Sequence, residues 1–232
     1  MKSLYFAVAT CLVLISSVAV RADSSARGSL ETYYLNPQPA EVPSIIRSLA
    51  DQGYLKKPER TAVAIGFLSV LFARHPERVD AWLLELNNVP LQLHRLIASA
   101  LWQAGNPLGA DLLRHLSQYT NPPNYAVERL ADLPSLPVAV TPVLSTSSMN
   151  LQWGAFLATG EDTYVINILD AIGTDQPGLD AAARYSLAQE AAAHPRVFEI
   201  CQSELAKRPA EVRSVVRAAL NDAASATGRP SI

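Results

Sequence analysis

The sequence predicts an all-α protein, and three observations support that prediction. Apolar residues recur at positions i, i+3, i+4 and i+7 along most of the chain, which is the period of an α-helix with one buried face. Prolines stand near the starts of these stripes and glycines just past their ends, as is typical of helices. β-Branched residues are enriched only at residues 137–143, where prolines favour an extended loop over a strand. We therefore expect about nine or ten helices.

The first half of the chain predicts five of these helices. The second helix is apolar on nearly every side, so we expect it in the middle of the fold. The five cover residues 41–52, a segment from Pro58 to His75, one from Pro76, one from Pro90 to Gly105, and one from Pro107.

The second half of the chain predicts five more helices. A serine cluster, Ser145–Ser148, precedes the first of them, and serine is a favoured N-cap. Short connectors make consecutive helices pack antiparallel, either as hairpins stacked in a short right-handed solenoid or as an irregular bundle. The expected helices are residues 151–159, 162–172, 178–193, and two on the stripes at 197–205 and 212–220.

The amino terminus predicts export from the cytoplasm. Lys2 precedes an uncharged apolar run from Leu4 to Val20, and Val20-Arg21-Ala22 resembles the small-residue end of a cleavable signal peptide. We therefore expect a signal peptide at residues 1–22 and a periplasmic or secreted protein. An uncleaved anchor is the alternative, because the apolar run is at the short edge of a membrane span. After cleavage we expect no stable membrane insertion.

Charge and cysteine content restrict the possible partners. With 19 basic and 21 acidic residues, the chain has no basic footprint for nucleic acid or an anionic membrane. Only Cys201 follows the signal, so the exported chain has no internal disulfide and depends on its core for stability. A lone cysteine on a helical stripe is typically a small buried apolar residue.

Two segments of the chain resemble each other. Residues 73–86 and 192–205 share a His-Pro pair, an acid four residues beyond the proline and a closing Glu-Leu. In outline, residues 41–222 resemble α-helical solenoids of the tetratricopeptide type, a resemblance that implies paired helices stacked into a curved surface. The Trp, Leu-Gly and Tyr spacing of that family is absent, so no binding positions carry over. Residues 151–172 and 184–205 also look like parts of exported bacterial helical proteins that have no assigned activity, so this resemblance does not point to a function.

No motif in the sequence predicts catalysis, a metal site or a cofactor. The histidines lack the paired spacing of a metal site. We expect His75 and His194 to be caps or surface residues at helix junctions, and His94 and His115 to be surface or edge residues. A nucleophile elbow and a glycine-rich phosphate loop are both absent from the sequence.

A long segment at residues 119–148 is the predicted place for function. It is rich in proline and irregular apart from a short helix expected at residues 126–132, and segments of this length in a compact domain are usually functional or flexible. Its apolar residues must be covered by the protein itself or by a partner. The candidate partner-binding residues are Tyr119, Tyr125, Leu136 and Val138.

Two flanking segments complete the predicted domain organisation. Residues 23–40 form an extended arm, whose Tyr33-Tyr34 pair we expect to dock on the first helical hairpin. One helical domain covers residues 41–224, and residues 225–232 are expected to be a flexible tail.

These observations favour a binding protein over an enzyme. We expect an exported module that holds a protein or peptide, with no cofactor. Two alternatives stay open: a periplasmic enzyme or small-ligand-binding protein whose polar groups converge only in the folded chain, and a structural envelope protein that self-associates. A deep pocket that contains His94 or His115, with acids from neighbouring helices, would favour the first alternative.

Overall fold

The computed structural model describes residues 27–86, 90–105, 109–118, 125–174, 176 and 178–230. Over these residues the protein is all-helical, with twelve helices packed against each other where about nine or ten were expected. The expected signal peptide at residues 1–22 and the candidate residue Tyr119 lie outside the described residues. The side chain of Tyr125 also lies outside them, although its backbone belongs to a helix.

The helices follow the predicted stripes closely. The first, α1, covers residues 27–31 of the described chain. The others are α2 (Val42–Asp51), α3 (Pro58–Arg74), α4 (Pro76–Glu85), α5 (Leu91–Ala104), α6 (Gly109–Gln118), α7 (Tyr125–Ala131), α8 (Thr146–Thr159), α9 (Asp162–Asp170), α10 (Leu179–Ala193), α11 (Pro195–Glu204) and α12 (Ala210–Thr227).

The centre of the fold is the crossing of α3 and α8. As its apolar pattern predicted, α3 is buried on several sides, and it packs against both α8 and α5. The two central helices approach closely because each places a glycine against the backbone of the other. A Cβ atom on Gly66 would lie 2.8 Å from the carbonyl carbon of Leu151, and one on Gly154 would lie 2.7 Å from the Phe67 nitrogen. Only glycine therefore fits at these two positions.

The packing is that of an irregular bundle rather than a solenoid. In a solenoid each hairpin contacts only its neighbours along the chain. Here α3 packs most extensively against α8, which is separated from it in sequence by four other helices. Helix α10 packs against α12 and α8, and α9 packs against α11.

The two His-Pro corners are alike in secondary structure but not in environment. His75 lies between α3 and α4 and His194 lies between α10 and α11, so each joins a long helix to one of ten residues. The His75 Nδ1 atom lies 3.5 Å from Glu77 Oε1. His194 is buried, with Nδ1 3.4 Å from the Tyr34 hydroxyl oxygen. His194 is thus the cap residue between α10 and α11, as expected, but it is buried in the interior rather than at the surface.

The amino-terminal arm is more regular than expected. Its described part contains α1 and two 3₁₀ turns, Tyr33–Leu35 and Pro39–Glu41. Tyr33 docks on the first hairpin as expected, with its ring centre 5.0 Å from that of Phe67 in α3. Tyr34 instead packs on Phe156 of α8, with a distance of 5.1 Å between ring centres. The arm thus covers the α3–α8 crossing.

The carboxyl-terminal residues continue the fold into the expected tail. Helix α12 extends to Thr227 and ends at Gly228, whose φ is +70°. The Arg229 guanidinium then lies 5.2 Å from the centre of the Phe198 ring and donates a hydrogen bond to the Ala191 carbonyl oxygen. The described residues 225–230 are therefore helical or in contact with the helices before them.

Candidate functional site

The first candidate site is the loop that joins α7 to α8, residues 132–145, called here the docking loop. Helix α7 lies where a short helix was expected within the long segment. Pro137 of the docking loop packs over the end of α5, where a Cβ atom on Gly105 would lie 2.7 Å from the proline Cγ. The side chains of Val138 and Val143 are buried in the core. Part of the loop is therefore covered by the protein itself.

A buried amide holds the middle of the docking loop. The Gln152 side chain has no exposed surface, and its Nε2 donates hydrogen bonds to the carbonyl oxygens of Val138, at 2.9 Å, and Thr141, at 3.0 Å. Its Oε1 accepts a hydrogen bond from Asn167 Nδ2 at 3.1 Å. Asn167 Nδ2 also donates to the Ala139 carbonyl oxygen at 3.0 Å. Side chains of α8 and α9 thus fix three carbonyl groups of the loop.

The serine cluster ends the docking loop with a capping box. The Ser145 hydroxyl accepts a hydrogen bond from the Ser148 backbone N–H, and the Ser148 hydroxyl accepts bonds from the backbone N–H groups of Ser145 and Leu144. Helix α8 therefore begins at Thr146, earlier than the expected start at residue 151. The expectation that a serine caps this helix is confirmed, and the cap is Ser145.

The remaining apolar side chains of the docking loop face solvent. Between 41 % and 67 % of the surface of each of four residues is exposed: Leu133, Leu136, Val140 and Leu144. The sequence around them, residues 133–160, contains no Asp, Glu, Lys, Arg or His. A shallow groove of about 250 Å³ lies between the loop and α9, bordered by Val140 and Leu144 on one side and by Asn167 and Asp170 on the other.

The candidate partner-binding residues that the structure describes differ in exposure. Leu136 is exposed and available to a partner. Val138 is 2 % exposed and belongs to the core, so its burial is not compatible with direct contact. Gln152 and Asn167, which position the loop, were not among the residues predicted from the sequence. The signal for Gln152 was a long polar side chain in a helix whose neighbouring residues are almost all apolar.

The second candidate site is a pocket between α4, α5 and α6, called here the leucine pocket. Its volume is about 400 Å³, within the usual range of small-ligand sites. Leu86 and Ile97 are buried in it, whereas Leu84 is exposed at its rim. The aliphatic residues that line it are Leu83, Leu84, Leu86, Ile97, Leu112 and Leu116.

Three polar side chains also line the leucine pocket. His94 comes from α5, His115 from α6 and Asp80 from α4. His115 and Asp80 are exposed, whereas His94 is only 8 % exposed, so the expectation of a surface or edge residue is wrong for His94. This is the combination of histidine and acid that favours a ligand-binding protein. Among the described residues, no group of three or more His, Cys, Asp and Glu side chains could hold a metal ion.

Comparison of the chain with models of protein families, with curated proteins and with solved structures finds no match in any of the three. Within the part of the chain that the structure describes, no helix combines the length and the apolar character that a bilayer span requires. The function is therefore inferred from the docking loop and the leucine pocket themselves.

Proposed function

We propose that this protein is an exported helical module that binds another protein through the docking loop. The observation that carries the proposal is the exposure of four apolar side chains in a segment without charge. Protein interfaces have this character at their centre, where apolar residues are enriched and charged residues are depleted. Exposed apolar side chains that occur singly need no explanation, but several within one loop favour an interaction surface.

The way the docking loop is held supports the same proposal. Gln152 and Asn167 fix three of its carbonyl groups, and the Ser145 capping box fixes its end. A loop that is ordered before binding loses little conformational entropy when a partner docks. The exposed side chains are thus presented in one geometry.

The chemistry of the loop supports one kind of partner. We propose an uncharged, apolar patch on a folded protein, with one apolar side chain seated in the groove between the loop and α9. Residues 133–160 carry no charge, and the Asp170 carboxylate that borders the groove already pairs with Arg208, so charge attraction contributes little to the contact. Binding should therefore change little when the salt concentration is raised from 0.05 to 0.5 M, whereas screening would weaken a charged contact.

A matched pair of variants tests the proposal. Val140 and Leu35 are equally exposed, at 67 % each, but Leu35 lies in the amino-terminal arm, outside the docking loop. Affinity capture from crosslinked cells should recover one protein in stoichiometric amount with the unmodified chain and with Leu35→Glu, and should lose it with Val140→Glu. Equal recovery with both variants would overturn the proposal.

Export is tested separately from binding. Amino-terminal sequencing of the protein from a periplasmic or culture-medium fraction should give Asp23 as the first residue, because the expected signal covers residues 1–22. Recovery of the uncleaved chain in the membrane fraction would favour the anchor instead.

A further inference from the structure

We propose that the leucine pocket is a second, separate binding site, for a small molecule with a straight aliphatic chain and a head group that donates hydrogen bonds and carries no negative charge. This inference does not rest on the docking loop. The two sites use different elements: α4, α5 and α6 line the pocket, whereas α8 and α9 hold the loop.

The lining of the pocket specifies the aliphatic chain. Its six apolar residues in the described part of the chain are all Leu or Ile, and the rings in its wall are the imidazoles of His94 and His115. An apolar cavity of about 150 Å³ holds benzene, so a pocket of about 400 Å³ has room for a longer molecule. Each methylene group that enters such a pocket should raise the affinity about fourfold.

The polar side chains specify the head group. Asp80 is exposed at the pocket and makes no ion pair with any described residue, so the fixed charge there is negative. The Asp80 carboxylate accepts hydrogen bonds from an amine or a hydroxyl and repels a carboxylate or phosphate. His94, on α5, lines the pocket beside these groups and adds a polar ring to its wall.

Calorimetric titration of the exported chain with three eight-carbon probes tests this proposal. Octan-1-amine and octan-1-ol should bind with one site per chain, and octanoate should bind several-fold more weakly than octan-1-amine. The affinity of the amine should rise from six to eight carbons. The proposal is overturned if none of the three binds, or if octanoate binds most tightly.

Three variants locate the site. Leu112→Trp should abolish binding by filling the pocket, and Leu84→Ala, a change at an exposed residue that leaves folding intact, should weaken it several-fold. Asp80→Asn should remove the preference for amine over octanoate, while Asp51→Asn, an exposed acid on α2, should keep it. Val140→Glu should bind the probes normally, so failure of this site and failure of the docking loop are distinguishable.

Discussion

At the scale of single residues, Gln152 determines the conformation of the docking loop although its own side chain is not exposed. The side chain is fully buried in α8, yet its two hydrogen bonds to Val138 and Thr141 fix the course of the docking loop. A buried carbonyl group left without a partner costs about 1–3 kcal/mol. The loop therefore cannot leave this amide without a loss of stability.

Replacing Gln152 by leucine should destabilise the protein by about 1–2 kcal/mol, because the Thr141 carbonyl loses the hydrogen bond from Gln152 and the Val138 carbonyl is left with the bond from the Thr141 backbone N–H. Urea unfolding measures the change, and hydrogen exchange should show faster exchange of the loop amides. Gln189→Leu is the control, since that exposed amide bonds only Tyr185 on the same helix. Equal stability of the two variants would contradict the assignment.

Cys201, the free cysteine of the described residues, offers a second test at this scale. Cys201 is fully buried, as expected, and burial raises the pKa of its thiol to about 12. At pH 8 only about one thiol in ten thousand is then ionised, and the thiolate is the reactive form. Ellman's reagent should leave the folded protein unmodified for hours and react fully in urea. Rapid reaction of the folded protein would contradict this burial.

At the scale of helices, the crossing of α3 and α8 depends on two glycines. Gly66→Ala and Gly154→Ala should each cost about 2–3 kcal/mol or prevent folding, because the added methyl group meets backbone atoms of the other helix. Thermal unfolding measures the effect. Gly28→Ala is the control, since a Cβ atom there meets nothing within 4 Å. Tolerance of alanine at residue 66 or 154 would show that the helices are further apart.

A cluster of charges joins the end of α9 to the turn before α12. Arg208 pairs with Asp170, and it also donates a hydrogen bond to Glu204 at 2.9 Å. The pKa of Glu204 is lowered, first by the hydrogen bond from Lys207 at 2.6 Å and then by Arg208, although burial opposes the shift. A lowered pKa means that this carboxylate stabilises the fold above its unfolded pKa of about 4.3 and loses the contribution as pH falls.

Arg208→Met should therefore reduce stability by about 1–2 kcal/mol at pH 7, and by less at pH 3, because the contribution of Glu204 falls once the pH drops below its unfolded pKa of about 4.3. Urea unfolding at the two pH values tests this. Arg184→Met removes the exposed pair with Asp222 and should change stability by less than about 1 kcal/mol at either pH. If Arg208→Met loses as much stability at pH 3 as at pH 7, the hydrogen bond between Arg208 and the Glu204 carboxylate does not stabilise the fold.

The helices could be predicted from the sequence because their signals are local. Apolar periodicity, prolines at helix starts and glycines at helix ends lie within a few residues of what they determine. The burial of His194 could not be predicted, since it depends on Tyr34, a residue far along the chain. The burial of His94 depends on how α4 and α6 pack around α5, which no local pattern specifies. The docking loop could be predicted only in part. Its proline content indicated an irregular segment, but which of its apolar residues are exposed depends on the hydrogen bonds from Gln152.

At the scale of the whole molecule, the two candidate sites are held by different helices, and α8 belongs both to the core and to the support of the docking loop. The α3–α8 crossing and the arm that covers it provide the stable centre. The docking loop lies between α7 and α8, and the leucine pocket lies between α4, α5 and α6. Substitutions at either site can therefore be made at exposed residues, so that loss of binding is separable from loss of folding.

Site-specific photo-crosslinking in living cells tests the central claim most directly. A benzoylphenylalanine residue would replace Val140 in one protein and the equally exposed Leu35 in another. We predict that irradiation gives a single heavier species at residue 140, containing one other protein, and none at residue 35. The same crosslinks at both positions, or none at residue 140, would contradict the assignment of the docking loop as an interaction surface.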